Sequence, residues 1–170
     1  MLKIESLSRQ HRRNTFDCGV TALNDYLART AFQHSEKGLS KTFVAVDENL
    51  PFEIIGFFTL TLAEIDYALL PETINKKLPR TVLPVIKLAR LAIATSHQGC
   101  GIGKALLFEA LNRSYQVHQL AGAIALFVDA KDRQAALFYQ KFGFLPIPSY
   151  PLQLFLPFNT LAVILNNSDN

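Results

Sequence analysis

The stretch His97–Leu107, HQGCGIGKALL, carries glycine at 99, 101 and 103 and then turns apolar at helical spacing. Glycine loses more backbone freedom on folding than any other residue, so a run this dense needs a return. The preceding run, VIKLARLAIA (Val85–Ala94), is apolar with little alternation, as expected of a strand covered on both faces. The whole segment therefore reads as strand, glycine turn and helix, with the helix over Ile102–Val117. The first turn of a helix has N–H groups without intrahelical partners, and its dipole favours an anion there. Bare backbone at Gly101 and Gly103 lets a bulky phosphate come close. One exposed anion gains only about 0.3–1 kcal/mol from the dipole, so useful affinity takes several N–H contacts.

Two familiar phosphate loops do not fit. A Walker loop has Gly where Gln98 stands and Ser or Thr where Ala105 stands. A dinucleotide fingerprint starting at Gly99 needs Gly or Ala where Lys104 stands, and the turn falls late in the chain for that motif. A tight loop without a ligand stays open on these residues alone.

The rest of the chain sets the frame. With 170 residues, 49% hydrophobic and 18% charged, it reads as one globular domain over 1–170. Cys18 and Cys100 are too few for a disulfide scaffold, and no paired His and Cys spacing suggests a metal. They read as reduced thiols of a cytoplasmic protein. The N-terminus has no apolar signal region, and no run reaches the roughly 18 apolar residues of a membrane span. Net charge is +3, but Thr73–Phe108 contains no Asp or Glu while holding Lys76, Lys77, Arg80, Lys87, Arg90 and Lys104. That is either an ordinary solvated surface or a face for an anionic ligand or partner.

Periodicity orders the elements. Leu2–Leu7, Lys41–Asp47, Ile54–Leu62, Val85–Ala94, Ala123–Asp129, Phe144–Ile147 and Leu152–Leu156 read as strands. Val20, Leu23, Leu27 and Ala31 predict a helix over Val20–His34, broken by Gly38; Asp132–Phe142 predicts another, stopped by Gly143. Pro71–Pro84 is irregular or holds a short helix, and the apolar tail Pro151–Leu165 reads as buried strand. The order is a mixed α/β layer fold.

Gln98-x-x-Gly101-x-Gly103 matches Gln/Arg-x-x-Gly-x-Gly/Ala, the coenzyme A pyrophosphate loop of GNAT acetyltransferases. ALFYQKFGF (Ala136–Phe144) resembles the other half of that family's signature, a helix after the fifth strand that ends in a Gly-Phe turn. By pattern alone Tyr139 is a core aromatic sharing a face with Ala135, Phe138 and Phe142. The resemblance implies a GNAT fold: a mixed, mostly antiparallel twisted sheet splayed between the fourth and fifth strands, with helices on both faces. It also implies acetyl-CoA as cosubstrate, with no metal. Backbone of Leu91, Ala92 and Ile93 would hold the pantetheine. Gln98, Gly99, Cys100, Gly101, Ile102, Gly103 and Lys104 would hold the pyrophosphate, with Phe138 nearby. Tyr139 would be the general acid, and transfer to an amine would be direct in a ternary complex.

FDCGVTALNDYLARTAFQHSEKGLSKTFVAVD (Phe16–Asp47) resembles the start of GNAT toxins from bacterial toxin–antitoxin modules. That resemblance implies acetylation of the amino group of an aminoacyl-tRNA, a block of translation and a small antitoxin partner, and it is compatible with a homodimer. Arg90 and Lys87, with Lys76, Lys77 and Arg80, become candidates for tRNA contacts. Two alternatives are an N-acetyltransferase for a small amine or protein amino group without tRNA, and a non-catalytic coenzyme A-binding module.

Overall fold

A computed structural model describes residues 1–160. The described residues form seven strands, β1 (Leu2–Ser6), β2 (Lys41–Asp47), β3 (Gly56–Asp66), β4 (Val82–Ile93), β5 (Ala125–Asp129), β6 (Leu145–Ile147) and β7 (Tyr150–Pro157). Its α-helices are α1 (Thr21–Arg29), α2 (Ala31–Glu36), α3 (Glu72–Asn75), α4 (Ile102–Ala121) and α5 (Arg133–Lys141). The strand order is β1-β2-β3-β4-β5-β7-β6. Two compact units divide the chain, Met1–Thr61 with Ala89–Ala110, and Leu62–Leu88 with the residues from Leu111 onward.

In the first unit, β1 pairs antiparallel with β2 from Leu2↔Asp47 to Ser6↔Phe43, and β2 pairs antiparallel with β3 from Lys41↔Leu60 to Ala45↔Gly56. Leu27 and Ala31 are fully buried against Val44, Val46 and Phe57, with Val20 and Leu23 packed beside them. The 3.6-residue stripe read in the sequence is therefore the buried face. The Phe57 ring meets Phe16 edge-on at 5.4 Å and stacks on Tyr26 at 6.3 Å. The single helix expected over Val20–His34 is two. Thr30, at φ −120° and ψ −43°, leaves helical geometry although its N–H still reaches the Tyr26 carbonyl.

In the second unit, Ile86, Lys87 and Leu88 of β4 pair parallel with Leu126, Phe127 and Val128 of β5, and β5 and β6 each pair antiparallel with β7. Ile147 and Phe155 are buried with Ile65, Leu83, Val85 and Ala125. β3 runs on to Asp66, whose carboxylate caps the following turn through the Ala68 N–H at 2.9 Å. Helix α4 continues past Val117 to Ala121, because the residue able to stop it is Gly122, at φ +82°. Of the strand expected over Pro151–Leu165, β7 covers Pro151–Pro157, and residues 158–160 are helical rather than extended, past Pro157, where the ladder with β5 ends; residues 161–165 lie outside the described residues.

Gly56 shows how tightly the first unit closes. A Cβ there would stand 2.9 Å from Leu106 Cδ1, 3.0 Å from Ile93 Cδ1 and 3.1 Å from the Ala92 carbonyl oxygen. Gly56→Ala is therefore an overpacking change, expected to cost about 1–3 kcal/mol. Urea unfolding is the check; an unchanged midpoint would show that the neighbours move aside freely.

Candidate active site

The glycine turn is built by β4, a 3-10 turn over Thr95–His97 and α4. Gly99 and Gly101 hold φ +76° and +80°, a region costly for any residue with a side chain. A Cβ on either would meet nothing within 4 Å, so the space over this backbone is open to an approaching group. Both glycines, Gln98, Cys100 and Lys104 are exposed, and Ile102 and Gly103 are half-buried. The first-turn N–H groups of α4 lie here, where an anion is favoured. The Lys104 ammonium sits 5.6 Å from the Phe108 ring centre.

Gln98 points back into the protein. Its side-chain NH2 donates to the Ile93 carbonyl at 2.9 Å and to the Cys18 carbonyl at 3.1 Å. The Thr95 N–H donates to the Asp17 carbonyl at 2.9 Å. The Asp17 carboxylate in turn accepts from the Gly19 N–H at 2.8 Å and the Asn24 side-chain NH2 at 2.9 Å, and the Asn24 side-chain oxygen accepts from the Cys18 N–H at 2.9 Å. The Gly19 N–H, and then Asn24, hold the Asp17 carboxyl below its ordinary range. The FDCG turn thus anchors the glycine turn. Sequence reading assigned Gln98 to the ligand; its amide is engaged in shaping the loop. Asp17 and Asn24 were missed. Asp two residues before a glycine at a helix start is the signal that could have found this turn.

On β4, Leu91 and Ile93 are half-buried and Ala92 is buried. Arg90, half-buried, lies on the Tyr26 ring, with its guanidinium carbon 3.8 Å from the ring centre. It lines a cavity of about 540 Å³ together with Asp25, Arg29, His34 and Ser40, none of which sequence reading had singled out for a site.

In the second unit, Asp132 caps α5 by accepting the Ala135 N–H at 2.8 Å, and Gly143 ends the following turn at φ +92°. Tyr139 is 7% exposed, packed against Phe138 and Phe144 with ring centres 5.3 and 5.4 Å away. Phe138 also meets Phe142. Burial raises the Tyr139 phenol from 10.0 to about 12, so it is neutral at any physiological pH. Lys76, Lys77 and Arg80 are exposed in the segment that follows α3. Lys87 is engaged instead, with its ammonium 2.9 Å from an Asp129 carboxylate oxygen.

The raised phenol has a measurable consequence. The folded state holds this proton more tightly than the unfolded chain. The associated stability is therefore complete below about pH 10 and is lost as pH rises through about 12. Tyrosinate absorbance of the native protein minus that of Tyr139→Phe should titrate near 12. A difference curve centred at 10 would show an unburied phenol.

Among the described residues no group of His, Cys, Asp and Glu could hold a metal ion, and no helix is long and apolar enough to cross a membrane. Residues 38–146 match the acetyltransferase (GNAT) domain family. The chain is 34% identical over 142 residues to a tRNA-acetylating toxin of Mycobacterium tuberculosis, spanning 84% of this chain and 83% of that one. Its fold is similar to AtaT solved in complex with acetyl-methionyl-tRNAfMet, at a TM-score of 0.90 and 28% identity, covering 97% of this chain and 99% of the other. It is also similar to a tyrosine-to-phenylalanine mutant of AtaT bound to the C-terminus of the antitoxin AtaR and acetyl-CoA, at 0.81 and 26%, covering 96% and 98%. The glycine turn at the head of α4, the buried tyrosine on α5 and these likenesses agree: the chain belongs to the GNAT acetyltransferase family.

Proposed function

We propose that this chain acetylates the amino group of an aminoacyl-tRNA at the expense of acetyl-CoA, and thereby stops translation. The observation that carries the reading is the 34% identity to a tRNA-acetylating toxin across most of both chains. Because the GNAT match runs through both compact units, we take residues 1–170 as a single acetyltransferase domain. Its partners are the aminoacyl-tRNA and a small antitoxin, its place is the cytoplasm, where charged tRNA is found, and a homodimer is compatible with it.

The open backbone over Gly99 and Gly101 fits a pyrophosphate, held by N–H groups from Cys100 to Lys104. The pantetheine arm would lie along the backbone of Leu91, Ala92 and Ile93, with Phe138 of α5 assigned to the same ligand. Acetyl-CoA supplies the acetyl group as a thioester. The backbone of Leu91 and Ile93 orients that group and polarises its carbonyl, an effect worth roughly 2.7–4 kcal/mol per well-placed donor. The acceptor must arrive as a neutral amine; its nitrogen bonds the acetyl carbonyl carbon as the thioester C–S bond breaks, coenzyme A leaves as the thiolate, and the proton that the amine gives up passes to water, which balances the later protonation of that sulfur.

Tyr139 serves the leaving sulfur. A phenol at about 12 keeps its proton, and giving it wholly to a thiolate whose thiol has an ordinary pKa of about 8.5 is uphill. Its main contribution is therefore a hydrogen bond donated from the phenolic oxygen, with full transfer favoured only as the sulfur is itself desolvated. No hydrogen bond within the described residues occupies this hydroxyl. Arg90, Lys76, Lys77 and Arg80 are assigned to the acceptor, and Lys87 more weakly, since Asp129 already faces it.

Tyr139→Phe should lower turnover by about 10²–10⁴-fold with little change in acetyl-CoA binding; near-normal turnover would remove the tyrosine from the chemistry. The function itself is tested in a cell-free translation reaction with and without acetyl-CoA, followed by mass spectrometry of the charged tRNA. Translation should stop only with acetyl-CoA present and leave an N-acetylated aminoacyl end. Normal translation alongside steady acetyl-CoA turnover would point instead to a small amine or a protein amino group, and no turnover at all to a coenzyme A-binding module.

A further inference from the structure

We infer that the cavity formed by α1, α2, β3 and β4 in the first unit is an oxyanion site, and that a phosphodiester at the acceptor end of the substrate occupies it. The inference rests on the reading of the acceptor as an aminoacyl-tRNA. The cavity is about 540 Å³ and is lined by Asp25, Tyr26, Arg29, His34, Ser40 and Arg90, among others. Two guanidiniums face one carboxylate, and neither Arg29 nor Arg90 has an ion-pair partner among the described residues. The Tyr26 ring covers one face of the Arg90 guanidinium at 3.8 Å. That contact fixes the plane and leaves its N–H edge available, the edge that matches a phosphate in a two-bond fork.

The Ser40 Oγ, although part of the wall residue, is buried away from the space itself. Thr59 bonds the Thr42 hydroxyl at 2.8 Å, and Thr61 donates to the Leu39 carbonyl at 2.9 Å. What the wall offers an occupant is therefore chiefly its charge, two guanidiniums against one carboxylate. An apolar side chain would leave both guanidiniums unmatched, and an ammonium would face them. An oxyanion pairs with them. A side-chain carboxylate of an acidic aminoacyl ester shares that chemistry, but a phosphodiester is present whichever amino acid the tRNA carries.

The test uses full-length protein saturated with coenzyme A, so that the glycine turn is filled. The Nε–H resonances of Arg29 and Arg90 are followed by NMR during titration with inorganic phosphate, with acetate, with the trinucleotide CCA, and with CCA whose last linkage is a neutral methylphosphonate. Phosphate and CCA should move both resonances, and the methylphosphonate should bind about 10-fold more weakly than CCA. Arg29→Gln, at an exposed helix position, should erase that difference. Resonances unmoved by phosphate and CCA would overturn the site. Shifts with acetate and equal affinity for the two trinucleotides would overturn the phosphodiester in favour of a carboxylate. Parallel acetylation of aminoacyl-tRNA separates the two readings. Arginine shifts without acetylation would sink the acceptor assignment, and acetylation with unmoved arginines would sink this site alone.

Discussion

The Gln98 side-chain amide holds the candidate site in shape. One NH2 group ties the start of the glycine turn to the end of its own strand, at Ile93, and to the FDCG turn, at Cys18. A loop with glycines at 99, 101 and 103 has little stiffness of its own. Two hydrogen bonds at its first residue set where the α4 N–H groups stand. The second anchor is itself rigid, because the Asp17 carboxylate and the Asn24 amide tie the FDCG backbone into α1. A motif at residue 17 and a motif at residue 98 are thus one construction.

Burial is used differently on α5. Tyr139 gives up solvent to sit among Phe138 and Phe144, and the low-dielectric surroundings disfavour its phenolate. The same packing that fixes the ring also keeps the hydroxyl protonated and available as a donor. A residue that pattern analysis reads as core is core, and its chemical usefulness follows from that. For the same reason it is a better hydrogen-bond donor than a proton source.

The basic stretch Thr73–Phe108 resolves into side chains in different situations. Lys87 is neutralised by Asp129, Arg90 is stacked on Tyr26, and Lys76, Lys77 and Arg80 face solvent. Net charge of +3 conceals this sorting. Unpaired guanidiniums at a cavity wall are stronger candidates for anion recognition than a lysine already bonded to a carboxylate, since an existing pair must be broken before a phosphate can be met.

Much of this protein was determined by local sequence alone. The β2 boundaries Lys41–Asp47, the helix start at Ile102, the Asp132 cap and Gly143 stop of α5, and the strand–turn–helix at the glycines depend on period, caps and glycines within a few residues. These signals also carried the acetyltransferase resemblance that the comparisons bear out. The break at Thr30 and the extension of α4 to Ala121 were not legible, because helix continuity is settled by packing and by the next available stop. Only the tertiary structure decided that Gln98 bonds to Cys18, eighty residues away, and that Lys87 is paired. It alone placed Arg29, His34 and Ser40 with Arg90 around one cavity. Local patterns report what a residue does to its own segment; which side chains meet, and which are left unsatisfied, depends on contacts between segments distant in the chain.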